Sequence, residues 1–565
     1  MLIKKVDKQR ITMDLTAAWQ ELARFQEAGI ATSGHLYAGE QENALICEFL
    51  AKVPIATLFA CLQDASDQGS EKQVKQACGC INRVLGAEGD GTSLFFHPDI
   101  VPFVLAGLAH VEKAARTLVV NQLIAHLGRK PSLDQVKVVT DSVVLEQICA
   151  VVADEDLEVA VKASTVLEMF SSIPDSDIYR AALDSLKAKA QSSETTENSV
   201  EFMRYLETIV KICAQKDEHM EYGIATGAID LILNCLKSDD PLFLMNVVDL
   251  VPALCQTKIG VQYIFQSGTL KTLLGMTEDP FVGGNAVRLV GEVSATAASL
   301  NIESWSWSDA TLSKAFLGTI ERKLQSSDSL QQIAATDALA AFGSSSDKEL
   351  QLLLQHRSIC QMWLQLGGST KMPVKANFFH SLGRVLGAHT RLKKQPGQVP
   401  EENTSVWNMC ERLFSSLGVE CAQQSTMILL MNALKQPFEE LRTSVFHVLR
   451  SVAAQNNPWG MQALQSYGGF FEFLLDRTTE PTKESREWKF AVLDAVLASP
   501  FQSQLGTCVA MAELSGFRVV SCIAFSCYRC CRVADASLVE KLQASLNRGP
   551  YAGAAAPAEM ELESA

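Results

Sequence analysis

Residues 525–533 read FSCYRCCRV. Cys527, Cys530 and Cys531 fall within five residues, and Cys522 and Cys508 precede them. Two chemistries use such spacing. A Cys-x-x-Cys pair is half of a structural zinc site, which needs four ligands, usually a second knuckle or two histidines. It is also the core of a dithiol redox centre, which sits in a βαβ setting. Neither is complete here. Cys531 adjoins Cys530, a poor geometry for joint ligation, no histidine lies in the segment, and no βαβ pattern surrounds it. The sequence therefore predicts no metal and no cofactor.

Other reactive patterns are missing too. GAEGDGTS at 86–93 is glycine-rich but lacks the Lys-Ser/Thr end of a phosphate loop. The nine histidines lie far apart, with no H-E-x-x-H and no pair at helical metal-ligand spacing. There is no G-x-S-x-G elbow. Paired carboxylates such as Asp239-Asp240 and Glu439-Glu440 read as helix-start residues that complement the dipole. Asn403-Thr404-Ser405 fits a glycosylation acceptor and is expected to be silent without secretion. No residue is assigned a catalytic, cofactor or metal role, and the partner-binding residues stay unassigned. Trp459, Phe438, Phe470 and Phe471 are the aromatic anchor candidates, with packing in the helical core as their expected role.

Charge narrows the partners. The chain of 565 residues carries 49 basic and 64 acidic side chains, a formal net charge of −15. Such a field repels phosphate backbones, and RLKK at 391–394 is too short to make a basic patch. Nucleic acid and anionic membrane are not expected partners. The first residues, MLIKKVDKQR, have no apolar core of a secretory signal, and no run of 18 apolar residues follows. Eleven cysteines from Cys47 to Cys421 then read as reduced thiols of a cytoplasmic protein, one that could also enter the nucleus.

The elements that would position any site are helices. In DLTAAWQELARFQEAG, 14–29, Asp14 can cap the N-terminus, Leu15, Trp19, Leu22 and Phe25 share a face, and Gly29 can end the helix. A larger pattern recurs: a short apolar helix, a polar turn, then a longer apolar helix. It begins near 99, 141, 227 and 268, with Val101, Val144, Ile229 and Leu270 at equivalent places. Looser copies start near 322, 433 and 473. A period in the low forties belongs to armadillo and HEAT arrays. Stacked helical hairpins bury faces that none can bury alone, so the expected fold is an all-α armadillo/HEAT-like α-solenoid, a superhelix.

The expected layout follows from composition. Residues 1–13 form an N-terminal extension, 14–390 the N-terminal and central repeats, and 406–548 the C-terminal helical repeats. The loop 391–405, RLKKQPGQVPEENTS, is the candidate hinge, and the Ala-, Pro- and Glu-rich tail 549–565 is expected to be disordered.

The C-terminal repeats carry a resemblance. QPFEELR, NPWGMQAL, GGFFEFLLDR and LNRGPY, between 436 and 551, are similar to the 26S proteasome non-ATPase regulatory subunit 5 family. That pattern passes from near Phe501 to the stretch before GPY, so about 507–535, with all five clustered cysteines, reads as an insertion peculiar to this chain. The chain is expected to be monomeric on its own, and the resemblance implies a non-enzymatic solenoid. It implies a chaperone for assembly of the proteasome regulatory particle base. Such a protein binds an AAA-ATPase subunit through that subunit's C-terminal domain, in an intermediate that also holds a large non-ATPase scaffold subunit. It leaves before the mature proteasome forms. The competing reading is an armadillo-type adaptor for extended peptides in transport or signalling. Against it, the seven tryptophans form no Trp-Asn ladder, and only Trp407 precedes an asparagine.

Overall fold

The computed structural model describes residues 14–32, 39–86, 95–140, 142–174, 176–192, 199–300, 302, 310–388, 404–455, 457–502, 505 and 536–551. Every regular element among them is a helix. The N-terminal extension, the 507–535 insertion and all but the first three residues of the 549–565 tail lie outside the described residues.

Two compact units divide the chain, residues 1–263 and 264–565. In the first, long helices form a row: Leu15–Thr32, Glu71–Gly86, Lys113–Gly128, Leu157–Ser171, Val200–Cys213 and Pro241–Leu254, each packed on the next. Shorter helices form a second layer behind them, including Ile55–Asp67, Val101–Leu108, Ser142–Val151, Ile178–Ala190 and Ala228–Cys235. The second unit has its own row: Gly283–Ser299, Ser329–Gly343, Met372–Ala388, Glu439–Ala453 and Lys483–Ala498. Thr269–Gly275, Ala310–Gln325 and Thr426–Leu434 back three of them. The core between the layers is apolar: Val144, Ile229, Leu270, Leu339, Phe378 and Phe446 are all buried. Val101, their sequence counterpart, is only half-buried.

Local chemistry starts several of the long helices. Asp156, Ser199, Asp240, Asp328 and Thr482 cap their helices by accepting first-turn N–H groups. Asp14 likewise accepts from Thr16 N at 3.2 Å. The helix it begins runs on to Thr32, past the predicted end at Gly29. Glycine is tolerated inside a helix at a cost of about 1 kcal/mol, and there it ends nothing.

The repeat contains one helix more than the pattern predicts. Asp217–Ala225, Lys258–Gln266 and Pro458–Gln465 each precede a short helix. The chain reverses between the two at Gly227, Gly268 and Gly469, whose φ angles are 76°, 76° and 92°. Only glycine takes that left-handed geometry without cost. This three-helix unit is the armadillo form of the repeat.

The candidate hinge at 391–405 is described only at Thr404 and Ser405. Residues 389–403 lie outside the described part, but the helices on either side share one unit. Met372–Ala388 packs on Glu439–Ala453, and Arg357–Gln365 on Thr404–Glu420. The division into two units falls at 263/264.

Candidate partner-binding surface

Reactive groups are held away from chemistry in the described residues. Of the eleven cysteines there, only Cys47 is exposed. Burial pushes the thiols of Cys149, Cys213, Cys255 and Cys410 up to about 12, and those of Cys61, Cys78 and Cys80 up to about 11. A protonated buried thiol is a poor nucleophile. Among the cysteines from Cys47 to Cys421, iodoacetamide at pH 8 should therefore modify Cys47 first, read by peptide mass mapping. Labelling of Cys149 or Cys213 at an equal rate would contradict this packing. No group of three or more His, Cys, Asp or Glu side chains among the described residues is placed to hold a metal. His126 and His219 are core residues, stacked on Phe95 and Tyr179.

Buried charge does structural work at one repeat-equivalent position. Arg116 and Arg442 are each the fourth residue of their long helix, and each reaches a carboxylate 38 residues on. Arg116 donates to Asp154 Oδ2 and Oδ1 at 2.6 and 3.0 Å and to the carbonyls of His110 and Val111. Arg442 donates to Glu480 Oε2 and Oε1 at 3.0 and 2.6 Å and to the carbonyls of Leu434 and Thr479. Each pair pins a long helix to the turn that begins the next one.

Lys489 completes the C-terminal cluster. Its ammonium donates to Asp476 O at 2.5 Å and Thr479 Oγ1 at 2.6 Å, and lies 4.2 Å from the Phe473 ring centre. Burial pulls its pKa from 10.5 to about 8. Between those values the unfolded chain holds a proton the folded chain has released, so this group makes stability rise with pH. Urea denaturation across pH 8–10 should show that slope, and Lys489→Met should flatten it. Parallel slopes would contradict the burial argument.

The second unit's row of long helices carries a linked set of exposed and half-buried side chains. Arg288 Nε donates to Asp337 Oδ2 at 2.8 Å, and Asn377 Nδ2 to Asp337 Oδ1 at 2.7 Å. Arg384 spans the intervening helix to grip Glu292 with two bonds, 2.6 and 3.0 Å. His380 and His447 bring their Nδ1 atoms to 3.3 Å, and the His447 ring lies 5.2 Å from the Trp488 ring. Consecutive helices thus present Glu292, Asp337, Arg384, His380, His447 and Trp488 as one pre-ordered stripe. Arginine and tryptophan are the side chains that most often dominate protein interfaces, and ordering them beforehand lowers the entropy cost of binding. In the first unit, contacts between adjacent long helices include Thr208 to Ser164, Gln122 to Asn82 and the Lys211–Glu168 ion pair at 3.6 Å.

Sequence reasoning missed this stripe. Its members are separated by 67 and 92 residues. Of the four aromatic candidates, Trp459, Phe470 and Phe471 are buried in the core as expected, and Phe438 is exposed beside the start of its helix. The clustered cysteines at 508–531 lie outside the described residues.

Comparison with known proteins adds to this geometry. A family model described as proteasome non-ATPase 26S subunit matches residues 38–509. The 26S proteasome non-ATPase regulatory subunit 5 of Homo sapiens is 23% identical over 405 residues, covering 70% of this chain and 75% of its own. That of Drosophila melanogaster is 20% identical over 458 residues, covering 78% and 83%. Among solved structures, Kap121p aligns with a TM-score of 0.51 at 12% identity, covering 89% of this chain and 54% of its own. That likeness concerns the α-solenoid fold alone.

Proposed function

The chain belongs to the proteasome non-ATPase 26S subunit family, and on that footing we propose that it is a chaperone for assembly of the regulatory particle base. It binds one AAA-ATPase subunit through that subunit's C-terminal domain, within an intermediate that includes a large non-ATPase scaffold subunit. It departs before the mature proteasome forms, and it works in the cytoplasm. This task needs a shaped surface and no reactive group.

The observation that carries the reading is the stripe on the second unit, from Glu292 to Trp488, joined to the family match. Its arginine, imidazole and indole groups suit a folded domain with exposed carboxylates and apolar side chains. Native-gel fractionation of a cell extract tests the placement. The chain should migrate with ATPase-containing intermediates and be absent from complete proteasomes. Stoichiometric presence in complete proteasomes would overturn the transient role.

A further inference from the structure

The first unit has a second surface of different character, along the edge where its long helices begin. Leu157, Val200 and Leu242 occupy the starts of three successive long helices, and Val111 lies two residues before the long helix that precedes them; Val111, Leu157, Val200 and Leu242 are 79, 62, 62 and 70% exposed. Val161, one turn beyond Leu157, extends the patch. Single exposed apolar residues are ordinary on a protein surface. Four at or just before the starts of four adjacent long helices are a recurring feature. Leu157 and Val200 are first helical residues and Leu242 a second, so none of these is a hydrophobic staple, which occupies the position before the cap; Val111 does precede the cap Glu112, but at 79% exposure it does not pack on its helix. In the second unit Phe281, Leu330 and Phe438 are likewise exposed at or near the starts of long helices.

Charge gives the edge its sign. Positive helix ends would normally face outward there. Asp156 and Asp240 quench them by accepting from Glu158 N and Val159 N, and from Leu242 N and Phe243 N. Glu155, Glu201 and Asp239 are further exposed carboxylates beside the apolar tips. The neighbouring lysines are engaged: Lys113 pairs with Asp156 at 2.7 Å, and Lys162 with Glu158 at 2.7 Å. The edge is therefore apolar tips in an acidic frame.

We propose that this edge docks an amphipathic helix of a partner protein, with apolar anchors seven residues apart and lysine or arginine flanking them. Adjacent packed helices lie about 8–10 Å apart, and seven residues of α-helix advance about 10.5 Å, so one partner face can meet one anchor site per repeat. The acidic frame selects the basic flanks. This surface lies in a different unit from the stripe assigned to the ATPase subunit and is independent of that reading.

The probe is a synthetic helical peptide with leucine at every seventh position and lysine flanks, labelled for fluorescence anisotropy with the full chain. The matched control replaces each lysine with glutamate. The lysine peptide should bind, weaken steeply with added salt, and lose at least about tenfold in affinity to the variant Val111→Ser, Leu157→Ser, Val200→Ser, Leu242→Ser. These positions are exposed, so the variant should keep the wild-type melting curve. A less disruptive pair, Leu157→Ser with Leu242→Ser, should show an intermediate loss. Equal binding of the glutamate peptide, unchanged affinity of the variants, or no binding at all would overturn the proposal. Concentration-dependent dimerisation of the wild type that the variant loses would also overturn it, by assigning the edge to a second copy of this chain.

Discussion

Arg442→Ala lowers the stability of the C-terminal repeats by about 3–5 kcal/mol, the usual cost of removing one partner from a buried ion pair. The Arg442 side chain is 8% exposed and that of Glu480 1%, so neither finds water when the other is removed. The loss also frees the carbonyls of Leu434 and Thr479, which the guanidinium ties together across three segments. Lysine cannot reproduce the two-pronged grip, so Arg442→Lys should recover only part of the loss. The first unit offers an internal control. Arg116→Ala breaks the equivalent bond to Asp154, with side chains 9 and 6% exposed, and should cost a similar amount. In a repeat array each unit chiefly feels its neighbours, so each variant should loosen its own region. Hydrogen exchange should show the amides of 439–498 losing protection in the first case and those of 113–171 in the second. A loss under about 1 kcal/mol in both would show that these pairs do not clamp the repeats.

Gly460→Ala and Gly260→Ala each destabilise the chain, although helix propensity alone favours alanine by about 1 kcal/mol. Both glycines are the third residue of the first helix of a repeat. A methyl group on Gly460 would lie 2.2 Å from Val452 O, and one on Gly260 would lie 1.9 Å from Leu254 O. Those oxygens belong to the backbone of the preceding long helix and cannot swing away like a side chain. The first helix must slide outward, with a net cost of about 1–3 kcal/mol. Gly79 makes the contrast, because a methyl group there meets nothing within 4 Å, and Gly79→Ala should be neutral or stabilising. Thermal melts of the three variants decide the matter. Stabilisation by all three would contradict the close packing of first helices on the long ones.

The fold was legible because its signal is periodic. Val144, Ile229 and Leu270 recur with the repeat, and each sits in the core. Asp14, Asp156 and Asp240 precede apolar runs, and each starts a helix. The extra helix of the repeat was harder to see, because its sign is a single glycine at 227, 268 or 469, and a glycine letter does not state its φ. At 391–405 polar composition reports exposure, and says nothing of whether the helices flanking it pack together, as they do. The stripe from Glu292 to Trp488 had no local signature at all. Each member is one polar or aromatic residue per long helix, indistinguishable in sequence from any exposed side chain until the row aligns them. The ion pairs Arg116–Asp154 and Arg442–Glu480 lie between these cases, since their common spacing of 38 residues emerges once the repeats are aligned.

The most direct measurement is light scattering coupled to size-exclusion chromatography, with the full chain mixed in turn with the isolated C-terminal domain of each proteasomal ATPase. The account predicts a one-to-one complex with one domain and none with its paralogues. It predicts loss of that complex in Arg384→Ala with Trp488→Ala, two half-buried positions whose replacement should leave the chain folded. No complex with any domain, or one that survives both substitutions, would contradict it.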